Sequence, residues 1–150
     1  MNQNTPYWIS LLSPLLVIVG WYIVYYNSNR VAKRSEAYNI VSKAIEKVLS
    51  LDSRCADYWL SNKEQQPKKW LAGTLAEIQG IRTLLEMLEE HHNFKEKNDI
   101  LVKIRMAATL NAEKAATMTT SELKSKKQDQ SAAMNYTVKL LYNYYRSLNA

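Results

Sequence analysis

Cysteine and glycine are scarce in this sequence. Cys55 is the single cysteine among 150 residues, so no disulfide can form within one chain and no oxidising compartment is required. There are three glycines, and only Gly73 and Gly80 lie beyond residue 26. The sequence contains no G-x-S-x-G motif, no P-loop and no other glycine-rich phosphate loop. These absences argue against the common nucleotide-binding and serine-hydrolase classes.

Charge is absent from the start of the chain. The first charged residue is Arg30, so all 20 basic and 14 acidic side chains, and the net charge of +6, belong to the remainder. Residues 7–26 read YWISLLSPLLVIVGWYIVYY. At about 1.5 Å of helical rise per residue this run spans roughly 30 Å, which is the thickness of the hydrocarbon core of a bilayer. We therefore predict one transmembrane helix at residues 7–26.

The flanks of this run predict its depth and orientation. Aromatic residues, which favour the headgroup level, occupy both ends: Tyr7 and Trp8 at one, and Trp21, Tyr22, Tyr25 and Tyr26 at the other. A basic collar follows, formed by Arg30, Lys33 and Arg34. Because positive residues are retained on the cytoplasmic side, we expect a single-pass protein of the inner or plasma membrane. Residues 1–6 would be a short extracytoplasmic tail, and residues 27–150 a cytosolic domain. A cleaved signal peptide fits less well, because a basic start is missing and bulky aromatics occupy the place of a cleavage site.

The remainder of the chain has the pattern of an all-α domain. Apolar residues recur at three-and-four spacing, as on the buried face of a helix, and no segment alternates like a strand. Pro67 marks the start of one helix. Asn93 with Glu96, and Thr119 with Glu122, resemble capping boxes that begin two more. We predict an antiparallel bundle of about four helices after the transmembrane helix.

No catalytic, cofactor or metal site is predicted, and we do not expect an enzyme. Glu89 and His92 have the Glu-x-x-His spacing of helical di-iron sites, but such sites need two copies and a solvated helix end explains the pair better. Cys55 is expected to be a buried structural residue. Asp52 interrupts an apolar face, which suggests either a specificity device or, preferably, a solvated break.

A tyrosine cluster near the end of the sequence is the candidate partner-binding surface. It comprises Tyr142, Tyr144 and Tyr145 with Arg146, and tyrosine and arginine are enriched at interaction hot spots. The alternative is that Tyr142 and Tyr145 pack inside the bundle while Tyr144 faces solvent. Nucleic acid is not expected as a partner, because the thinly spread positive charge and the basic collar are explained by an anionic membrane surface.

Two functions remain open from the sequence. The first is a membrane-anchored interaction or regulatory protein that holds a protein partner, or further copies of itself, at the inner face of the membrane. The alternative is a membrane-perturbing effector, in which several single spans assemble in the bilayer. Pro14 and the small residues Ser10, Ser13 and Gly20 in the apolar run motivate the second hypothesis.

Overall fold

The computed structural model describes the backbone of residues 7–60 and 66–148, and the side chains of residues 12–60 and 66–148. Four α-helices and one short 3-10 helix make up this part of the chain. They are α1 (Tyr7–Leu60), α2 (Pro67–His92), α3 (Lys97–Thr109), the 3-10 helix (Ala112–Thr117) and α4 (Thr120–Ser147). The described residues contain no strand, so the predicted all-α class is confirmed. The predicted tail of residues 1–6 lies outside them.

The chain divides into two compact units, Met1–Glu36 and Ala37–Ala150. α1 contributes to both, because it continues without interruption from Tyr7 to Leu60. The described part of the first unit consists of the start of α1. The second unit contains the end of α1, all the later helices and the hydrophobic core.

In the second unit, α1 and α2 pack antiparallel. Tyr58 near the end of α1 stacks on Trp70 near the start of α2, with ring centroids 4.4 Å apart. One turn earlier on α1, Arg54 forms an ion pair with Glu77, which lies further along α2. α3 reverses the direction again, since the Trp70 Nε1–H donates to the Ala108 carbonyl oxygen near the end of α3 at 3.2 Å.

α4 returns beside α1, also antiparallel. The rings of Tyr38 and Tyr145 lie 5.1 Å apart, and Lys127 Nζ donates to Asp52 Oδ1 at 2.8 Å. The later residue of α1 therefore pairs with the earlier residue of α4, as in an antiparallel helix pair. These contacts confirm a helical bundle and make its first and last helices neighbours.

Small and polar side chains take part in the buried faces of the helices, and some large hydrophobic residues do not. On α1, the small residues Ala37 and Ala44 are fully buried, whereas Tyr38 is half exposed. On α2, Thr74 is fully buried and Leu75 is exposed. Large side chains dominate a hydrophobic pattern, but small ones mark where helices approach most closely, so a pattern of large residues alone misplaces the centre of the face.

Two of the three predicted helix starts are confirmed. α2 begins at Pro67, and Thr119 with Glu122 forms the complete capping box of α4. The predicted box at Asn93 is wrong. Asn93 has φ 58° and ψ 33° and ends α2, while α3 begins later, at Lys97. Asparagine tolerates the left-handed conformation that closes a helix, so it serves at either helix end.

Candidate membrane segment and interaction surface

The apolar segment at the start of α1 exposes its surface on every side. Each side chain from Leu12 to Lys33 is exposed. The large hydrophobic residues among positions 12–26 retain between 44% and 77% of their accessible surface. Residues 15–19 (LLVIV) are five successive members of this set, so they cover more than a full turn of helix. No single neighbouring helix can cover such a surface, because apolar side chains point in all directions.

The predicted span of residues 7–26 is described only in part. Its backbone is helical throughout. The side chains of Tyr7 and Trp8, which form one predicted aromatic belt, lie outside the described residues. Within the part of the chain that the structure describes, no helix is long and apolar enough to cross a membrane. A transmembrane role for residues 7–26 therefore stays a prediction.

The other predicted interface residues are accessible. The aromatic residues at the second end of the run are exposed, at 60–77% of their accessible surface: Trp21, Tyr22, Tyr25 and Tyr26. In the basic collar, Arg30 and Lys33 are exposed and Arg34 is half-buried. These positions suit contact with lipid headgroups.

The structure separates the predicted tyrosine cluster into inward and outward members. Tyr142 is 54% exposed, and Arg146 is exposed as well. Tyr145 is half-buried, and its ring lies 6.5 Å from that of Tyr142. Tyr142 and Arg146 can therefore meet a partner directly, with Tyr145 beneath them.

The alternative prediction that Tyr144 faces solvent is wrong. Its hydroxyl donates to the His92 carbonyl oxygen at 2.6 Å, and its ring meets Phe94 edge-on at 4.9 Å. Burial raises the pKa of Tyr144, and the nearby Glu96 carboxylate raises it further. Tyr144 thus ties the end of α4 to the end of α2 and has a structural role.

Sequence reasoning missed one member of the exposed surface. Tyr38 is 50% exposed, and its ring contacts Tyr145 across the α1–α4 interface. The exposed tyrosine patch therefore consists of Tyr38 and Tyr142, with the half-buried Tyr145 in ring contact with each. Lys139 and Arg146 are exposed at positions i−3 and i+4 from Tyr142, which places them on the same face of α4.

The prediction that Asp52 is a solvated break is wrong. Its carboxylate is bonded to Lys127, Gln130 and Ser131 of α4. The side chains of Asp52 and Lys127 keep 29% and 17% of their accessible surface, so the pair is largely shielded. A charge within an apolar pattern is here satisfied by a helix that lies 75 residues away in the sequence.

Cys55 is buried, as expected for a structural cysteine. Burial, together with the smaller effect of the nearby Asp52 carboxylate, raises the pKa of its thiol from 9.0 to about 12. Because the thiolate is the reactive form, this thiol is inert in the folded protein near neutral pH.

The raised pKa of Cys55 predicts a loss of stability in alkaline solution. The folded state holds the thiol proton more tightly than the unfolded state, so the stabilisation is complete below pH 9 and is lost as the pH rises towards 12. Between about pH 8 and about pH 10, wild type should lose about 1 kcal/mol more stability than Cys55→Ala. Urea unfolding of both proteins at the two pH values measures the difference, and equal losses would contradict it. Other titrating groups are common to both proteins and cancel.

Glu89 and His92 both lie in the last turn of α2. Glu89 is paired with Lys97, and His92 occupies the last position of α2. Among the residues described, no group of three or more histidine, cysteine, aspartate or glutamate side chains is arranged to hold a metal ion.

No family model, no curated protein and no solved structure matches this chain.

Proposed function

We propose that this chain is a membrane-anchored interaction protein. In this proposal residues 7–26 span the inner or plasma membrane, residues 1–6 lie outside, and residues 27–150 hold a protein partner or further copies of the chain at the inner face. The observation that carries the proposal is the exposed apolar surface around the whole of α1 between Leu12 and Tyr26. Exposed apolar surface of this extent requires a cover.

A lipid bilayer is the cover that fits this surface best. A partner helix would bury one stripe of α1, whereas lipid surrounds a helix on all sides. Residues 7–26 carry no charged side chain, since the first charged residue is Arg30. The absence of charge also favours lipid as the cover of this segment. The exposed rings of Trp21, Tyr22, Tyr25 and Tyr26 suit the headgroup level at one edge of the bilayer.

The basic collar supports the proposed orientation. Arg30 and Lys33 are exposed and follow the apolar segment directly. Positive residues this close to the end of a membrane helix favour the cytoplasmic side. Each basic residue close to an anionic leaflet contributes about 1 kcal/mol of attraction. Arg34 completes the collar before the second unit begins at Ala37.

The exposed tyrosine patch is the proposed partner-binding surface. Tyr38 and Tyr142 present large amphipathic rings at low cost in conformational entropy, and Arg146 adds a charged donor beside them. This grouping supports a proposed role in binding.

Photo-crosslinking of the full chain in intact membranes tests this proposal. A photoreactive amino acid at Tyr142 should give a discrete adduct, with a protein partner or with a second copy. The same group at Ser121 is the matched control, because Ser121 is also exposed but lies at the other end of α4. Recovery of an adduct-free monomer from both positions would count against the proposal.

A second candidate function is a membrane-perturbing effector. Pro14 lies inside α1, and a side chain at Gly20 would meet nothing within 4 Å, so this face can admit a second helix closely. Controlled expression with a membrane-potential dye tests it. A fall in potential that Gly20→Leu prevents would favour the effector, whereas an unchanged potential in wild type would remove it.

A further inference from the structure

One polar contact holds the first half of α4 to α1. Asp52 Oδ1 accepts hydrogen bonds from Lys127 Nζ at 2.8 Å, Gln130 Nε2 at 2.7 Å and Ser131 Oγ at 3.2 Å. Lys127 Nζ also donates to the Asp52 carbonyl oxygen at 3.3 Å. All the donors belong to about one turn of α4, so a single α1 residue anchors that turn.

The same half of α4 has little apolar packing. Gln130, which bonds to Asp52, is the buried residue among residues 120–131, and Leu123 is the hydrophobic residue among them that packs against the core. The second half is different, because Met134, Thr137 and Leu141 are buried. The attachment of the first half to α1 therefore depends on Asp52, whereas the second half is held by the core.

A polar attachment of this kind separates more readily than apolar packing. Water replaces the hydrogen bonds of both partners when they part, so the net contribution of such a contact is small. Asp52 and Lys127 each keep some accessible surface, so water already reaches the pair. Pulling Met134 and Leu141 from the core would instead expose apolar area.

We propose that residues 120–131 form a hinged cover over α1, latched by the hydrogen bonds of Lys127, Gln130 and Ser131 to Asp52, which opens while the rest of the second unit stays folded. Opening uncovers the α1 surface around Asp52 and Cys55, so the protein can present two different faces to a partner. Cys55 lies one helical turn beyond Asp52 and is fully buried when the cover is closed. The cover is a property of the second unit and stands independently of the proposed membrane role.

The native thiol of Cys55 reports the opening directly. The full chain in detergent is labelled with a maleimide at increasing low urea concentrations, and global unfolding is followed by circular dichroism. Local opening exposes little surface, so the labelling rate should depend weakly on urea and exceed the rate that global unfolding allows by at least tenfold. A labelling rate with the full urea dependence of global unfolding would overturn the proposal.

Variants identify the latch and confine the opening to α4. Asp52→Asn should raise the labelling rate at least tenfold, whereas Asp99→Asn, which removes the exposed ion pair with Lys103, should change it less than twofold. With Cys55→Ser, a reporter introduced by Ala108→Cys in the fully buried α3 position should label only with global unfolding. Equal effects of the two aspartate variants, or equally ready labelling at both reporter positions, would refute the cover. Should Asp52→Asn fail to fold, the urea dependence of wild type decides alone.

Discussion

Replacing both Ile18 and Val19 by lysine is expected to release the full chain from the membrane fraction. Both side chains are exposed on the apolar part of α1, at 67% and 46% of their accessible surface. A lysine at the centre of a transmembrane helix costs about 2.5–3.5 kcal/mol, so the pair should cost about 5–7 kcal/mol of insertion free energy. Extraction of membranes at alkaline pH measures the effect, with wild type retained in the pellet.

The control for this experiment adds the same charge outside the apolar run. Asn27→Lys with Asn29→Lys places two lysines next to the basic collar, where positive charge favours retention at the inner face. This variant should stay in the pellet like wild type. If the Ile18 and Val19 double variant were retained to the same extent, the proposed span would be wrong.

Trp59→Ala is expected to destabilise the second unit by about 3–5 kcal/mol. Trp59 is fully buried, and its ring meets Tyr58 edge-on at 5.0 Å, so its removal leaves a large cavity in the core. Urea unfolding of the full chain, followed by circular dichroism at 222 nm, measures the loss. Leu60→Ala is the matched control, since Leu60 is 51% exposed and its truncation should change stability by less than about 0.5 kcal/mol. Equal shifts in the two variants would show that Trp59 does not organise the core.

The helices were predictable where local chemistry decides them. Three-and-four spacing identified the helical segments, and Pro67 and Thr119 identified two of their starts. Asn93 misled because asparagine suits both an N-cap and the left-handed residue that ends a helix. The choice between these roles depends on which helix the residue closes, and the sequence at that point permits either.

The sites were less predictable because distant contacts decide them. Tyr144 and Tyr145 differ by about 100° around α4, and either could have faced the core. Tyr144 turns inward because the His92 carbonyl and the Phe94 ring stand at the end of α2, which no local pattern reveals. Asp52 likewise looked out of place because its partners follow 75 residues or more later. Tyr38 went unrecognised because its neighbour Tyr145 lies on the last helix.

The pairing of the first and last helices has a consequence for the order of events during synthesis. Tyr38 and Tyr145 are in contact, so the bundle cannot close until more than a hundred further residues have been translated after Tyr38. At about 5–20 residues per second this takes roughly 5–20 s. The apolar segment at residues 7–26 leaves the ribosome well before that time. Insertion of that segment into the membrane would therefore precede folding of the bundle. The face of α1 that binds α4 would stay unpaired during this time, although the chain is already attached to the membrane.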